Sequence, residues 1–156
     1  MEQLKNEKLT VTISAHGAEL QSIKNAEGRE YLWQGDEKYW PRRSPLLFPI
    51  VCGLWKDEYR VDGRTFNLPR HGFARDMDFE VVEKSDTSVT YTLESSPETR
   101  EVYPYDFELD VTYILNDDAI SVIWSVKNTG KQEMHFQIGG HPAFNLPGVA
   151  EGDKMH

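Results

Sequence analysis

A single cysteine, Cys52, in 156 residues leaves no intrachain disulfide framework to staple a fold. It fits a reducing compartment, and beside Gly53 it reads as a small buried apolar residue rather than a nucleophile. Long apolar runs are also missing. The longest, Pro45 to Val51, falls far short of the roughly 20 residues needed to cross a bilayer as a helix. The segment Met1-Glu2-Gln3-Leu4-Lys5 lacks a signal-peptide pattern, so a soluble, cytoplasmic protein with no membrane partner is expected. Basic charge is scarce too: 17 Lys and Arg stand against 26 Asp and Glu, a formal net charge of -9. No lysine or arginine cluster would neutralise a run of phosphates, which argues against nucleic acid. No convincing helical stripe, internal repeat, low-complexity segment or linker is visible, and residues 1–156 read as one domain.

What is present is strand after strand. Leu9 to Ser14 alternates, Ala15 to Ala18 turns, and Glu19 to Ile23 runs back toward a turn at Asn25 to Gly28, which makes a hairpin. Tyr31-Leu32-Trp33 follows. Glu58 to Val61 and Arg64 to Asn67 flank Asp62-Gly63, a strong two-residue hairpin signal. Val89, Tyr91 and Leu93 share a face; so do Phe107, Leu109, Val111, Tyr113 and Leu115, and then Ile120, Val122, Trp124 and Val126. Their neighbours, such as Glu108, Asp110, Thr112, Ser121 and Ser125, are polar, so one face meets a core and the other meets water. The fold class expected is all-β, an antiparallel β-sandwich.

The irregular parts carry the candidate chemistry. The stretch Gln137 to Pro147 centres on Gly139-Gly140-His141-Pro142, and Met134, Phe136 and Ile138 lead into it as a half-buried strand. Pro142 pushes His141 toward extended backbone, so the imidazole is expected at a strand end, with Asn145 nearby to donate and accept hydrogen bonds. A second histidine in a similar setting, His71, stands in Pro69-Arg70-His71-Gly72-Phe73-Ala74-Arg75. Two such turns suggest one site, because a neutral imidazole can accept or donate a proton near neutral pH. Between Asp36 and Gly53, three prolines bar a continuous central strand, while Tyr39, Trp40, Arg42 and Arg43 offer aromatic faces beside planar donors. Such a loop suits a sugar; Trp40 reads equally as a plug over the sandwich edge. A metal site is not supported, since no histidine pair has ligand spacing, and no cofactor is called for. His16 and His135 read as solvated surface.

The stretches Pro69 to Arg75 and Gly139 to Leu146 together resemble the aldose 1-epimerase (galactose mutarotase-like) family, and Arg43 to Ile50 resembles its LacX-type branch. The resemblance runs from Leu9 to Pro147. It implies a large twisted sandwich that binds a hexose in its ring form and interconverts the α and β anomers by acid/base ring opening. His141 matches the histidine assigned as the acid, and His71 the one that hydrogen-bonds the ring oxygen and hydroxyls. Arg43 matches a substrate-contacting arginine. Arg75 resembles the arginine of the hexose-6-phosphate epimerase branch, which admits a hexose phosphate as partner.

One part of the pattern is missing. The family's general base is a glutamate near the end of a considerably longer chain, and Glu108, Glu133 and Glu151 stand in the wrong places to match it. The chain is expected to be either a fragment of a longer protein or a shortened homologue that has lost the reaction; the stretch Gly148 to His156 reads as the middle of a loop, which favours a fragment truncated on its C-terminal side, with exposed strand edges that self-associate. The alternative is a non-catalytic carbohydrate-binding β-sandwich that uses Trp40, Tyr39 and the arginines as a platform.

Overall fold

Alternating apolar and polar residues build two antiparallel sheets, and a computed structural model describes them over residues 1–146. Glu151, His156 and the loop expected over 148–156 lie outside the described residues. Strands β1 (Glu2–Lys5), β2 (Leu9–Ile13) and β3 (Leu20–Asn25) form the first sheet in chain order. After β4 (Leu46–Leu47) comes the hairpin β5 (Glu58–Val61) and β6 (Arg64–Asn67). Its turn residues Asp62 and Gly63 both have positive φ, 48° and 77°, the primed geometry that matches strand twist. The second sheet joins β7 (Glu80–Lys84), β8 (Ser88–Glu94), β9 (Phe107–Asn116) and β10 (Ala119–Asn128) in the order β10-β9-β8-β7. The two-residue β11 (Gly139–Gly140) pairs with β4.

The sheets share one core. Val11, Ile13, Leu20 and Ile23 from the first pack with Val89, Tyr91, Leu93, Leu109, Val111 and Tyr113 from the second. Two phenols tie the layers: Tyr113 donates to the Ala18 carbonyl at 2.7 Å and Tyr91 to the Ile13 carbonyl at 3.4 Å. Burying a tyrosine ring while its hydroxyl finds a carbonyl keeps the apolar gain without orphaning a polar group.

Several sequence expectations need correction. A short helix, α1 (Pro97–Val102), interrupts the strands, capped by Ser96, whose side chain accepts from the Thr99 N–H. The stretch 134–138 forms no ladder; the Gln137 N–H bonds the Pro49 carbonyl at 2.9 Å, Gln137 Oε1 accepts the Val51 N–H at 3.0 Å and the His135 carbonyl accepts from the Tyr103 hydroxyl at 2.9 Å before β11 begins. Cys52 is exposed rather than buried, because a left-handed backbone (φ 67°) turns it out of the loop. The apolar face of β10 lies open, with Val122 39% and Trp124 38% exposed. Its ends, Ile120 and Val126, pack against the core and Trp124 lies against Gly140, while an apolar groove of about 1050 Å³ runs between β10 and β3.

Phe48 locks the middle of the chain to the site. Its fully buried ring meets Phe107 at 5.2 Å and Tyr103 at 6.1 Å, while its carbonyl accepts from the N–H groups of Phe73 and Ala74. Gly72 lies hard against that carbonyl, and a Cβ there would sit 2.2 Å from the Phe48 oxygen on a backbone with φ 71°. Both strain and collision exclude a side chain. Gly72→Ala is therefore expected to cost at least about 2 kcal/mol in urea unfolding; a loss under half of that would show that the Phe48 loop yields easily.

Candidate functional site

One segment, 43–52, holds both histidines. At its start the Pro45 carbonyl accepts the His141 N–H at 3.1 Å and the Arg43 carbonyl accepts the Ala143 N–H at 2.9 Å. Between them β4 and β11 pair, Leu46 with Gly140 and Leu47 with Gly139. At its far end the Cys52 carbonyl accepts the His71 N–H at 2.8 Å. Fastened this way, the two imidazoles stand 6.4 Å apart, centroid to centroid. Trp40 lies on the other side of His141, 5.1 Å away and tilted by 49°. The sequence set these three residues at 40, 71 and 141; the fold makes them neighbours.

The tautomer of His71 follows from one bond. The Cys52 N–H donates to His71 Nδ1 at 3.0 Å, so in the neutral ring the proton sits on Nε2, which leaves a donor free to meet a ligand. Burial, then the charges of Arg75, Arg70 and His141, hold the pKa of His71 below the ordinary imidazole value. His71 itself has φ 71°, an uncommon left-handed conformation for a side chain of this size. His141 is exposed at the rim.

Beside His71 lies a compact charge cluster. Arg42 donates to Asp76 Oδ1 at 2.6 Å, and Arg75 Nε stands 3.5 Å from Asp76 Oδ2 without a hydrogen bond. Arg75 also donates through Nη2 to the Arg70 carbonyl at 2.7 Å. Burial and the neighbouring Arg42 lower the pKa of Arg75 against the pull of Asp76. Two guanidinium groups thus share one carboxylate, an excess of positive charge in a chain of net charge -9.

Arg43 and Asn145 are used differently. The Arg43 guanidinium donates to Gln21 Oε1 at 2.6 Å and to the Gln34 carbonyl at 3.2 Å, which turns it onto β3. Buried Glu19 holds the same loop by accepting the N–H groups of Arg43 and Ser44 at 3.0 and 2.8 Å. Asn145 donates to the Glu30 and Leu32 carbonyls and so pins its own segment to residues 30–32. Sequence reasoning named Arg42 with Arg43 as a donor of the loop but gave the family match to Arg43; Asp76 and the Cys52 amide were missed, and only the adjacency of Asp76 to Arg75 hinted at the first of these. His16 pairs with Asp78 at 2.9 Å, and the His135 carbonyl accepts from the Tyr103 hydroxyl. Next to Trp40 an open groove of about 610 Å³ is lined by Trp33, Asp36, Tyr39 and Ala143, a set of flat apolar faces with one carboxylate.

A family model described as aldose 1-epimerase matches residues 2–155. The chromosomal protein LacX of Lactococcus lactis subsp. lactis is 42% identical over 159 residues, which cover 97% of this chain and 52% of that protein. A solved galactose mutarotase related enzyme from Lactobacillus acidophilus superposes with a TM-score of 0.94 at 44% identity, over 98% of this chain and 51% of its own. A galactose mutarotase-like protein from Lactobacillus casei gives 0.93 at 42% identity, over 97% and 52%. The chain spans about half the length of the curated relatives it matches.

The His71 geometry has a pH signature. Its folded pKa lies below the unfolded value of about 6.5, so the unfolded chain binds the extra proton first as pH falls. Stability from this group is complete above that value and is lost as pH drops through the window below it. Melting temperature is expected to fall less steeply between pH 7 and 5 in His71→Gly, a variant suited to the left-handed backbone. Nitrogen NMR is expected to find the neutral ring protonated on Nε2; protonation on Nδ1 would contradict the Cys52 bond.

Proposed function

The chain belongs to the aldose 1-epimerase family, and on that footing we propose that the His71–His141 site takes the ring form of an aldose and serves the interconversion of its α and β anomers. The observation that carries this reading is the pair of imidazoles 6.4 Å apart, a spacing that lets both reach one pyranose, beside the face of Trp40. Ring opening removes the proton from the C1 hydroxyl, makes C1=O, breaks the bond from C1 to the ring oxygen and protonates that oxygen. Rotation about the bond from C1 to C2 and the reverse steps then close the other anomer. In this reading His141, exposed at the rim, delivers the proton to the ring oxygen. His71, with Nε2–H outward and its Nδ1 occupied, donates a hydrogen bond that steadies the developing charge.

The base is assigned to the portion of family-length proteins that this chain does not match. Among the described residues, no carboxylate hydrogen-bonds either site imidazole. The same observation, together with the Trp33, Tyr39 and Trp40 groove, favours a second reading for the 156-residue chain by itself: a site that binds sugar without turning it over. The excess charge of Arg42 and Arg75 over Asp76 favours a sugar that carries a phosphate, which a guanidinium can pair bidentately.

Polarimetry or anomeric NMR exchange on glucose, galactose and glucose 6-phosphate tests this. A family-length relative is expected to accelerate exchange, and replacement by Ala of its histidine aligned with His141 to cut kcat roughly a hundredfold. The 156-residue chain is expected to bind sugar with little acceleration. Arg42→Ala is expected to weaken binding of glucose 6-phosphate more than of glucose. Fast exchange by the 156-residue chain would instead place the base within it.

A further inference from the structure

A proline leaves a gap in the bonding between segment 43–52 and the segment that carries His141. Facing residues of a hydrogen-bonded antiparallel pair ordinarily exchange both bonds. Pro49 accepts the Gln137 N–H at 2.9 Å and, as a proline, has no N–H to return. The return bond is made two residues later, from the Val51 N–H to the side chain of Gln137, whose Oε1 accepts at 3.0 Å. The next amide along, that of Cys52, donates to His71 Nδ1 at 3.0 Å. Two successive N–H groups are thus held by two side chains, one four residues before His141 and the other His71 itself.

We propose that Gln137 is a positioning residue of the site: by fixing the Val51 amide it aims the Cys52 N–H at His71 Nδ1 and so keeps the proton of His71 on Nε2, free for a ligand. The path is short. Consecutive amide nitrogens lie within about 4 Å of one another, so one residue and two hydrogen bonds join Gln137 Oε1 to His71 Nδ1. An amide suits this position better than a carboxylate. Both would accept the Val51 N–H, but a glutamate would bring negative charge near an imidazole whose charged neighbours Arg75, Arg70 and His141 oppose its protonation. Asp76, the carboxylate of that cluster, is paired with Arg42 and Arg75. A neutral glutamine therefore supplies the bond and leaves His71 uncharged. Its part in ring opening rests on the aldose reading of the site, whereas its hold on His71 does not.

Nitrogen NMR on the 156-residue chain reads the tautomer of His71 directly, and Gln137 is exposed, so its replacement leaves the core alone. Gln137→Leu removes the acceptor and is expected to raise the share of neutral His71 protonated on Nδ1 about fivefold, with unchanged circular dichroism. Gln137→Glu keeps an acceptor; it is expected to preserve the Nε2 tautomer and to raise the His71 pKa by attraction. Gln132→Leu is the control, since Gln132 bonds the Pro104 carbonyl, and it is expected to leave His71 unchanged. An unchanged tautomer in Gln137→Leu, a lost Nε2 tautomer in Gln137→Glu, or an equal change in Gln132→Leu would each overturn the proposal. Titration with glucose separates this from the sugar chemistry. Binding weakened about threefold in Gln137→Leu extends the coupling to the ligand. A chain that binds no sugar while its His71 tautomer responds as stated upholds the coupling and counts against the aldose reading alone.

Discussion

The close contact between Gly72 and Phe48 is the constraint on which the site depends. The Phe48 ring is committed to the core, where removing such a side chain typically costs about 3–5 kcal/mol. Its carbonyl is therefore a fixed point, and the Phe73 and Ala74 N–H groups close on it. Gly72 has to pass within a distance that no Cβ tolerates. That passage forces positive φ on Gly72 and on His71 before it. The strain at His71 is offset by paired bonds with Cys52: backbone to backbone in one direction, Cys52 amide to imidazole in the other. Core packing is thus converted, over five residues, into a defined orientation of one ring.

The same segment explains why two distant motifs meet. Residues 43–52 run as a rail, with Pro45 taking His141 and Cys52 taking His71. Its prolines, which prevent a long central strand, leave carbonyls free to accept from other parts of the chain. Glu19 and Arg43 clamp the rail to the first sheet, so the Trp40 platform and Arg42 are positioned by buried bonds behind them. Arg43 therefore supports the site where Arg42 faces the cluster around Asp76.

Much of the fold was legible because strand periodicity is a local signal. The alternation of β9 names its buried face residue by residue, and Asp62-Gly63 fixes a turn whose geometry only such residues reach without cost. The two histidine motifs were legible as glycine and proline punctuation. What was not legible depends on partners far away in sequence. Alternation at 134–138 predicted a strand, but scattered bonds to Pro49, Val51 and Tyr103 stand in place of a ladder. Cys52 looked buried by residue type, yet its backbone conformation is dictated by His71, nineteen residues on. The choice between Arg42 and Arg43 rests on distant partners, Asp76 for the one and Gln21 for the other. Helix α1 was marked by Ser96-Pro97 and Thr99, a capping signal too short to register as a stripe.

The exposed face of β10 and the chemistry at His141 belong to one argument. Gly140 lacks a side chain, and a Cβ there would stand 3.2 Å from the Trp124 ring, so β10 backs directly onto the residue that precedes His141. Whatever covers Val122 and Trp124 therefore presses on the support of that imidazole. An uncovered indole can shift, and a shift of Trp124 relaxes the backbone that aims His141. The packing of Trp124 on Gly140 thus couples the apolar face of β10 to the orientation of the His141 ring.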